Sequence, residues 1–317
     1  MPAFETLVFI RSTAPMLLGT QANWLLLGSL IVQVYRFYTS FPNERWWVKS
    51  LVYTLFLLEV GQTATTSHFA YDTLVSSWGD PRVFENLPWS SLAIPIFTGI
   101  ISASVQIFYA WRIYCLKGGR LWAQLMSGSI VLLALAQCFA AIISDARFAM
   151  HPQIGEISRL MLGVKIWLVG SAACDILITI ALLIILTEFR RNTPWKRLES
   201  VLNRLITHTI ETGLITSVVA VANVILFILF PQTNLYQLPG FILGKLYTNV
   251  LLATLNARRE ANEAGTLNTG FWTDKGPSSG RPARQTLEFC NPRVENVPLD
   301  SLDRGSVQMT KGSIVAI

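Results

Sequence analysis

Seven runs of apolar residues, each close to the length that crosses a bilayer, constrain this chain more than any other feature. A helix needs about 20 residues to cross a hydrocarbon core of ~30 Å. The runs are about Ala14 to Tyr35, Leu51 to Tyr71, Leu92 to Tyr114, Leu121 to Ile143, Leu162 to Leu186, Leu205 to Phe230 and Leu238 to Ala257. Lipid offers the backbone no water, so each amide must find a partner within the protein, and a helix supplies one inside its own segment. The alternation that marks barrel strands is missing from these runs. The expected fold is all-α, a polytopic membrane protein built as a bundle of seven transmembrane helices. Only 14% of the 317 residues are charged, against about 25% in soluble domains, which fits a surface that mostly avoids water.

Basic residues set the expected orientation. Eleven lie in the loops after the first, third and fifth runs: Arg36, Arg45, Lys49, Arg112, Lys117, Arg120, Arg190, Arg191, Lys196, Arg197 and Arg204. The opposite side has four: Arg11, Arg82, Arg147 and Arg159. Positive residues stay on the cytoplasmic side, so the N-terminus is expected outside and the C-terminus in the cytoplasm. The first run is a full span with no basic region before it, which reads as a retained anchor rather than a cleaved signal. Trp46, Trp47, Trp78, Trp89, Trp122 and Trp195 sit near run ends, where amphipathic rings gather at headgroup depth. The net charge of +6 is explained by these loops and gives no sign of nucleic-acid binding. The lipid bilayer is the expected partner, and the plasma membrane is favoured over internal membranes. The basic third cytoplasmic loop and the tail are where a signalling partner is expected.

The domain division follows composition. Residues 1–260 form the expected transmembrane domain. Residues 261–317 are rich in Gly, Pro, Ser and Thr and read as a disordered cytoplasmic tail. Ser278, Ser279, Thr286, Ser301, Ser306 and Ser313 there are candidate phosphate acceptors. The segment Asp72 to Ser90, with Gly79, Pro81 and Pro88, reads as an irregular outer loop able to lie over the helix mouths. Four scattered cysteines lack metal spacing and make no disulfide framework. Cys115, just past a helix end, reads as a small buried thiol, with palmitoylation as the alternative.

Ionisable residues at bilayer depth are costly and so mark candidate sites. Glu59 lies mid-way along the second run, with Gln62, Thr63 and Thr66 following on one helical face. Lys245 in the seventh run has Thr248 and Asn249 at i+3 and i+4. The two helices enter from opposite sides, and the rise of about 1.5 Å per residue brings Glu59 and Lys245 to depths their long side chains can bridge. A buried ion pair, direct or through water, is expected, serving either packing or a ligand, ion or proton. Asp175 shares a stripe with Ser171 and Thr179, beside the small residues Gly170, Ala172 and Ala173 that admit a neighbouring helix. Thr98, Ser102, Gln106 and Tyr109 make a polar stripe on the third run. His208, Glu211 and Thr212 open the sixth near the cytoplasmic boundary, and Lys165 can snorkel to the headgroups.

No HExxH, Gly-x-Ser-x-Gly or Walker loop is present, and the three histidines are far apart. No enzyme activity and no cofactor or metal is expected, and no ligand is specified. Two working readings follow: a receptor-like or signalling protein, and a small-solute or ion transporter or channel using the interior around Glu59 and Lys245. A lysine in a seventh helix is shared with retinal-binding rhodopsins, but the third run lacks their carboxylate counter-ions. The third run ends WRIYC, and the seventh lacks Asn-Pro-x-x-Tyr, unlike the well-known G-protein-coupled receptors.

Five ordered blocks carry a closer likeness. They are QVYRFYTSFPNERWWVKSLVYTLFLLE ending at Glu59, VQIFYAWRIY, WLVGSAACDILI containing Asp175, LNRLITHTIETGLITS, and KLYTNVLLATLNARRE beginning at Lys245. In these the chain resembles a group of fungal seven-helix membrane proteins, the domain of unknown function 6534 family. The resemblance implies a seven-helix fold over most of Gly19 to Glu260. It implies no chemistry.

Overall fold

A computed structural model describes the backbone of residues 3–78, 88–117, 120–150, 157–191, 196–230 and 233–270. Side chains are described for residues 13–78, 88–117, 120–147, 163–188, 190–191, 213–230 and 233–257. Seven α-helices make up nearly all of it: α1 (Ala3–Ser40), α2 (Trp46–Tyr71), α3 (Trp89–Lys117), α4 (Leu121–Met150), α5 (Ile157–Arg191), α6 (Lys196–Leu229) and α7 (Gln237–Gly270). A π-turn at Asp72–Ser76 prolongs α2, and a 3-10 turn at Asn234–Tyr236 leads into α7. No strand occurs among the described residues.

Among the described residues, five helices are long and apolar enough to cross a membrane: Thr13–Ser40, Trp89–Lys117, Leu121–Arg147, Gly163–Glu188 and Asn234–Ala257. The described part of α6, Gly213–Leu229, is a shorter apolar helix. α2 is less apolar because Glu59, Gln62, Thr63, Thr66 and His68 interrupt its apolar run. These polar residues, His68 apart, are buried, so the helix hides its polar face instead of exposing it.

The distribution of side chains is that of a protein in lipid. Leu25, Leu57, Leu125 and Leu132 are each at least 69% exposed, while Asn23, Glu59, Gln62, Lys245 and Thr248 are completely enclosed. Water would drive the reverse arrangement; lipid is as apolar as leucine and drives no helix association by hydrophobicity. Close packing and interhelical hydrogen bonds must then hold the bundle together. Gly19 shows the packing. A Cβ there would lie 3.0 Å from Phe241 Cδ2 and 3.1 Å from Leu238 Cα, so only glycine lets α1 approach α7 so closely.

Neighbours in sequence pack side by side, and α7 closes the ring against α1 and α6 while also touching α2 and α3. Its span is 67% buried against 22% for α1, which makes α7 the central helix and α1 a peripheral one. One large apolar cluster fills the half containing Phe37, Val48, Phe108, Ile185 and Leu255. Trp47 packs edge-on to Trp111 there, with ring centroids 4.5 Å apart. A smaller cluster of Met16, Phe69, Ile94 and Phe241 closes the other end.

Several expectations change. Trp46 and Trp47 begin α2 rather than preceding it. The segment after Tyr71 starts as a helical π-turn; residues 79–87 lie outside the described residues. α7 continues to Gly270, past the end of its apolar run, and the rest of the tail lies outside the described residues. Arg112 was counted with a loop, yet it belongs to α3 and is 1% exposed. Of the eleven basic residues assigned to loops, only Arg45 and Arg120 lie outside the helices, which run further than their apolar stretches. Cys138 and Cys174 are free, but Cys115 is disulfide-bonded, against the expectation of a thiol.

Candidate functional site

α7 presents polar groups on two opposite faces. Lys245 and Tyr247 are two residues apart, about 200° around a helix, so they serve different neighbours. Lys245 faces α2 and Tyr247 faces α5.

On the α2 side, Lys245 Nζ donates to Glu59 Oε2 at 2.5 Å, to the Glu59 carbonyl at 2.8 Å and to Gln62 Oε1 at 3.2 Å. An ammonium has three protons, and all three are placed. The other Glu59 oxygen accepts from Thr248 Oγ1 at 2.6 Å. Both charged side chains are completely buried. Gln62 donates to Thr98 Oγ1 of α3 at 2.8 Å, and Thr98 donates onward to the Ile94 carbonyl. Gly244 makes room for the Gln62 amide, since a Cβ there would lie 3.2 Å from Oε1. Burying two charges is expensive unless they pair and their remaining valences are filled; here they are.

The network extends to α1. Asn23 Nδ2 donates to the Phe241 carbonyl at 2.6 Å, and its Oδ1 lies 3.0 Å from Thr63 Oγ1. Asn249 does not touch the ion pair. It donates to the Lys245 carbonyl one turn back and to the Leu26 carbonyl, and it accepts from Gln33 Nε2 at 2.8 Å. Asn249 thus ties α7 to α1.

On the other face, Tyr247 OH donates to Asp175 Oδ2 at 2.5 Å and lies 2.9 Å from Ser171 Oγ. Gln106 Nε2 of α3 donates to Asp175 Oδ1 at 3.1 Å, and Gln106 Oε1 accepts from Gln137 Nε2 of α4. Asp175 is 5% exposed. A cavity of about 40 Å³ adjoins it, bounded by α3, α5, α6 and α7. Gly213 of α6 opens this space: a Cβ there would lie 2.6 Å from Thr179 Oγ1.

The residues singled out from sequence therefore divide into two groups. Glu59, Gln62 and Lys245 meet directly, with Asn249 on their flank. Gln106 and Asp175 meet separately. His208, Glu211 and Thr212 lie outside the described side chains. Lys165 is exposed, as snorkelling requires. Sequence reading missed Asn23, Gln33, Gln137 and Tyr247. The first three were detectable as lone amides inside apolar runs. Tyr247 carried no such signal, because a tyrosine in a membrane helix is unremarkable by type. Among the described residues no three His, Cys, Asp or Glu side chains gather as a metal site.

No curated protein and no solved structure matches the chain. Residues 171–260 match the model of a family described as "Family of unknown function (DUF6534)". The chain is similar to that family over a stretch that includes Ser171, Asp175, Lys245, Tyr247 and Asn249 and leaves Glu59, Gln62 and Gln106 outside it.

Proposed function

We propose that the chain is a seven-span protein with its N-terminus outside and its C-terminus in the cytoplasm, acting as a receptor-like or signalling protein of the plasma membrane. One observation carries the signalling part. α7 is held on one face by Glu59 of α2 and on the other by Asp175 of α5, and the same helix runs on to Gly270. Polar networks with discrete partners switch between arrangements rather than deforming smoothly. Releasing α7 from either set of partners would let it move, and its continuation to Gly270 would carry that motion to the cytoplasmic side.

The test pairs two measurements on purified protein in liposomes. An environment-sensitive label near Asn256 is expected to change emission when Asp175→Asn releases α7, while no solute or ion flux follows an imposed potential. A flux that Lys245→Met abolishes instead makes the chain a transporter, the alternative favoured by a charged pair in the bundle interior. For orientation, a glycosylation acceptor inserted before α1 is expected to be modified and one inserted after Gly270 is not. The opposite pattern refutes the orientation. A signalling partner on the third cytoplasmic loop and tail is part of the proposal and concerns residues mostly outside the described set.

A further inference from the structure

We propose that the cavity beside Asp175 is a binding site for a small monovalent cation of sodium's size and charge. The inference stands whether the bundle signals or transports. Its starting point is the contrast between the two interior carboxylates. Glu59 has an ammonium at 2.5 Å. Asp175 has only neutral donors, the Tyr247 hydroxyl and the Gln106 amide. Among the described residues, the ion pairs within 4.0 Å involve Glu59 and Glu188 and not Asp175. An uncompensated carboxylate in a low-dielectric interior is penalised even after relaxation, so a positive charge is favoured next to it.

The cavity walls have the chemistry such an ion needs. Thr179 donates its proton to the Asp175 carbonyl, Thr216 to the Gly213 carbonyl and Thr254 to the Val250 carbonyl. With Thr254's proton so placed, the 3.4 Å contact between Tyr109 and Thr254 must use the Tyr109 proton. The hydroxyls lining this space thus have their protons committed elsewhere, and what they offer is oxygen lone pairs. The threonines would offer an anion no free proton, and the charge of Asp175 would repel it. A hard cation would meet hydroxyl oxygens around one formal negative charge, in a wall otherwise made apolar by Val105, Ile178, Leu182 and Val250.

Size and charge narrow the class. About 40 Å³ holds one small ion with one or two waters, since a single water needs roughly 10–15 Å³ by this measure. Organic ammonium ligands are too large. Divalent ions draw more carboxylates than the single one lining this space. A transition metal calls for imidazole or thiolate ligands, and no such group of three exists among the described residues. A bound cation would touch α3, α5, α6 and α7 at once and so favour the packed arrangement of all four.

The experiment is thermal unfolding of the purified full chain at fixed pH and constant ionic strength, with sodium chloride replacing choline chloride. The unfolding temperature of the wild type is expected to rise with the logarithm of sodium concentration, as it does for any ligand that binds only the folded state. Asp175→Asn is expected to lose that rise. Thr179→Val and Thr254→Val remove one oxygen each and are expected to move it to higher sodium, which keeps the test decisive if Asp175→Asn does not fold. A wild type indifferent to the exchange overturns the proposal, leaving a cavity that holds water beside a protonated Asp175. A full sodium response retained in all three variants also overturns it, by placing the cation elsewhere.

Discussion

Breaking the Glu59–Lys245 pair from each side should give unequal results, and the inequality follows from the hydrogen-bond geometry. In Lys245→Met, Glu59 loses its only counter-charge and keeps a single side-chain donor, Thr248. Removing one partner of a buried pair typically costs about 3–5 kcal/mol, and this variant belongs at the upper end. In Glu59→Gln, the ammonium still has the residue-59 carbonyl at 2.8 Å and Gln62 Oε1 at 3.2 Å, and the new amide offers an oxygen of its own. The loss should fall at or below the lower end. The double variant removes both charges and should be less destabilised than the sum of the singles, because neutral replacement of a buried pair is often tolerated. On the soluble-protein scale of roughly 2–4 °C per kcal/mol, a loss near 5 kcal/mol should lower the unfolding temperature of Lys245→Met by roughly 10–20 °C. Thermal unfolding in detergent micelles, completed as a double-mutant cycle, measures all four corners. Singles that leave the unfolding temperature unchanged, or effects that simply add, refute the reading that the two side chains stabilise one another.

Three further perturbations separate packing from polarity. Gly213→Ala should destabilise by about 1–3 kcal/mol as an overpacking change, because the added methyl meets Thr179 Oγ1 at 2.6 Å; unfolding of Gly213→Ala with and without Thr179→Ala checks this, since trimming the threonine should restore most of the loss. Gly19→Ala should likewise weaken the α1–α7 seam, whereas Gly128→Ala, which meets nothing within 4 Å, should be neutral or stabilising by about 0.4–1 kcal/mol. Equal losses at the two sites would contradict the packing described. Tyr247→Phe should cost about 1–3 kcal/mol by taking a donor from a buried carboxylate, while Ser171→Ala, which removes a neutral partner of the tyrosine, should cost less; the order of their unfolding temperatures is the measurement.

Much of the architecture was legible because its cause is local. A run of about 20 apolar residues must be helical in lipid whatever surrounds it, so the helices follow from composition along the chain. The burial of polar faces was legible for the same reason: Glu59, Gln62 and Thr66 recur at helical spacing and cannot all face lipid. Helix ends were less so. α7 runs on to Gly270, and Arg112 lies inside α3, because a helix ends where its hydrogen bonds and packing end and not where hydropathy falls.

Only the tertiary structure decided which polar residues meet. Lys245 and Tyr247 stand two residues apart, yet one faces Glu59 and the other Asp175. Helical geometry separates them; it does not say which helix lies on either side. That choice depends on contacts between residues 186 and 72 positions apart in the chain, set by close approach at glycines and by the cost of leaving a buried carboxylate or ammonium unpartnered. The sequence alone determined that polar groups would be buried in a helical bundle. Three-dimensional packing decided that one carboxylate would receive an ammonium while the other would face a small cavity with neutral donors as its partners.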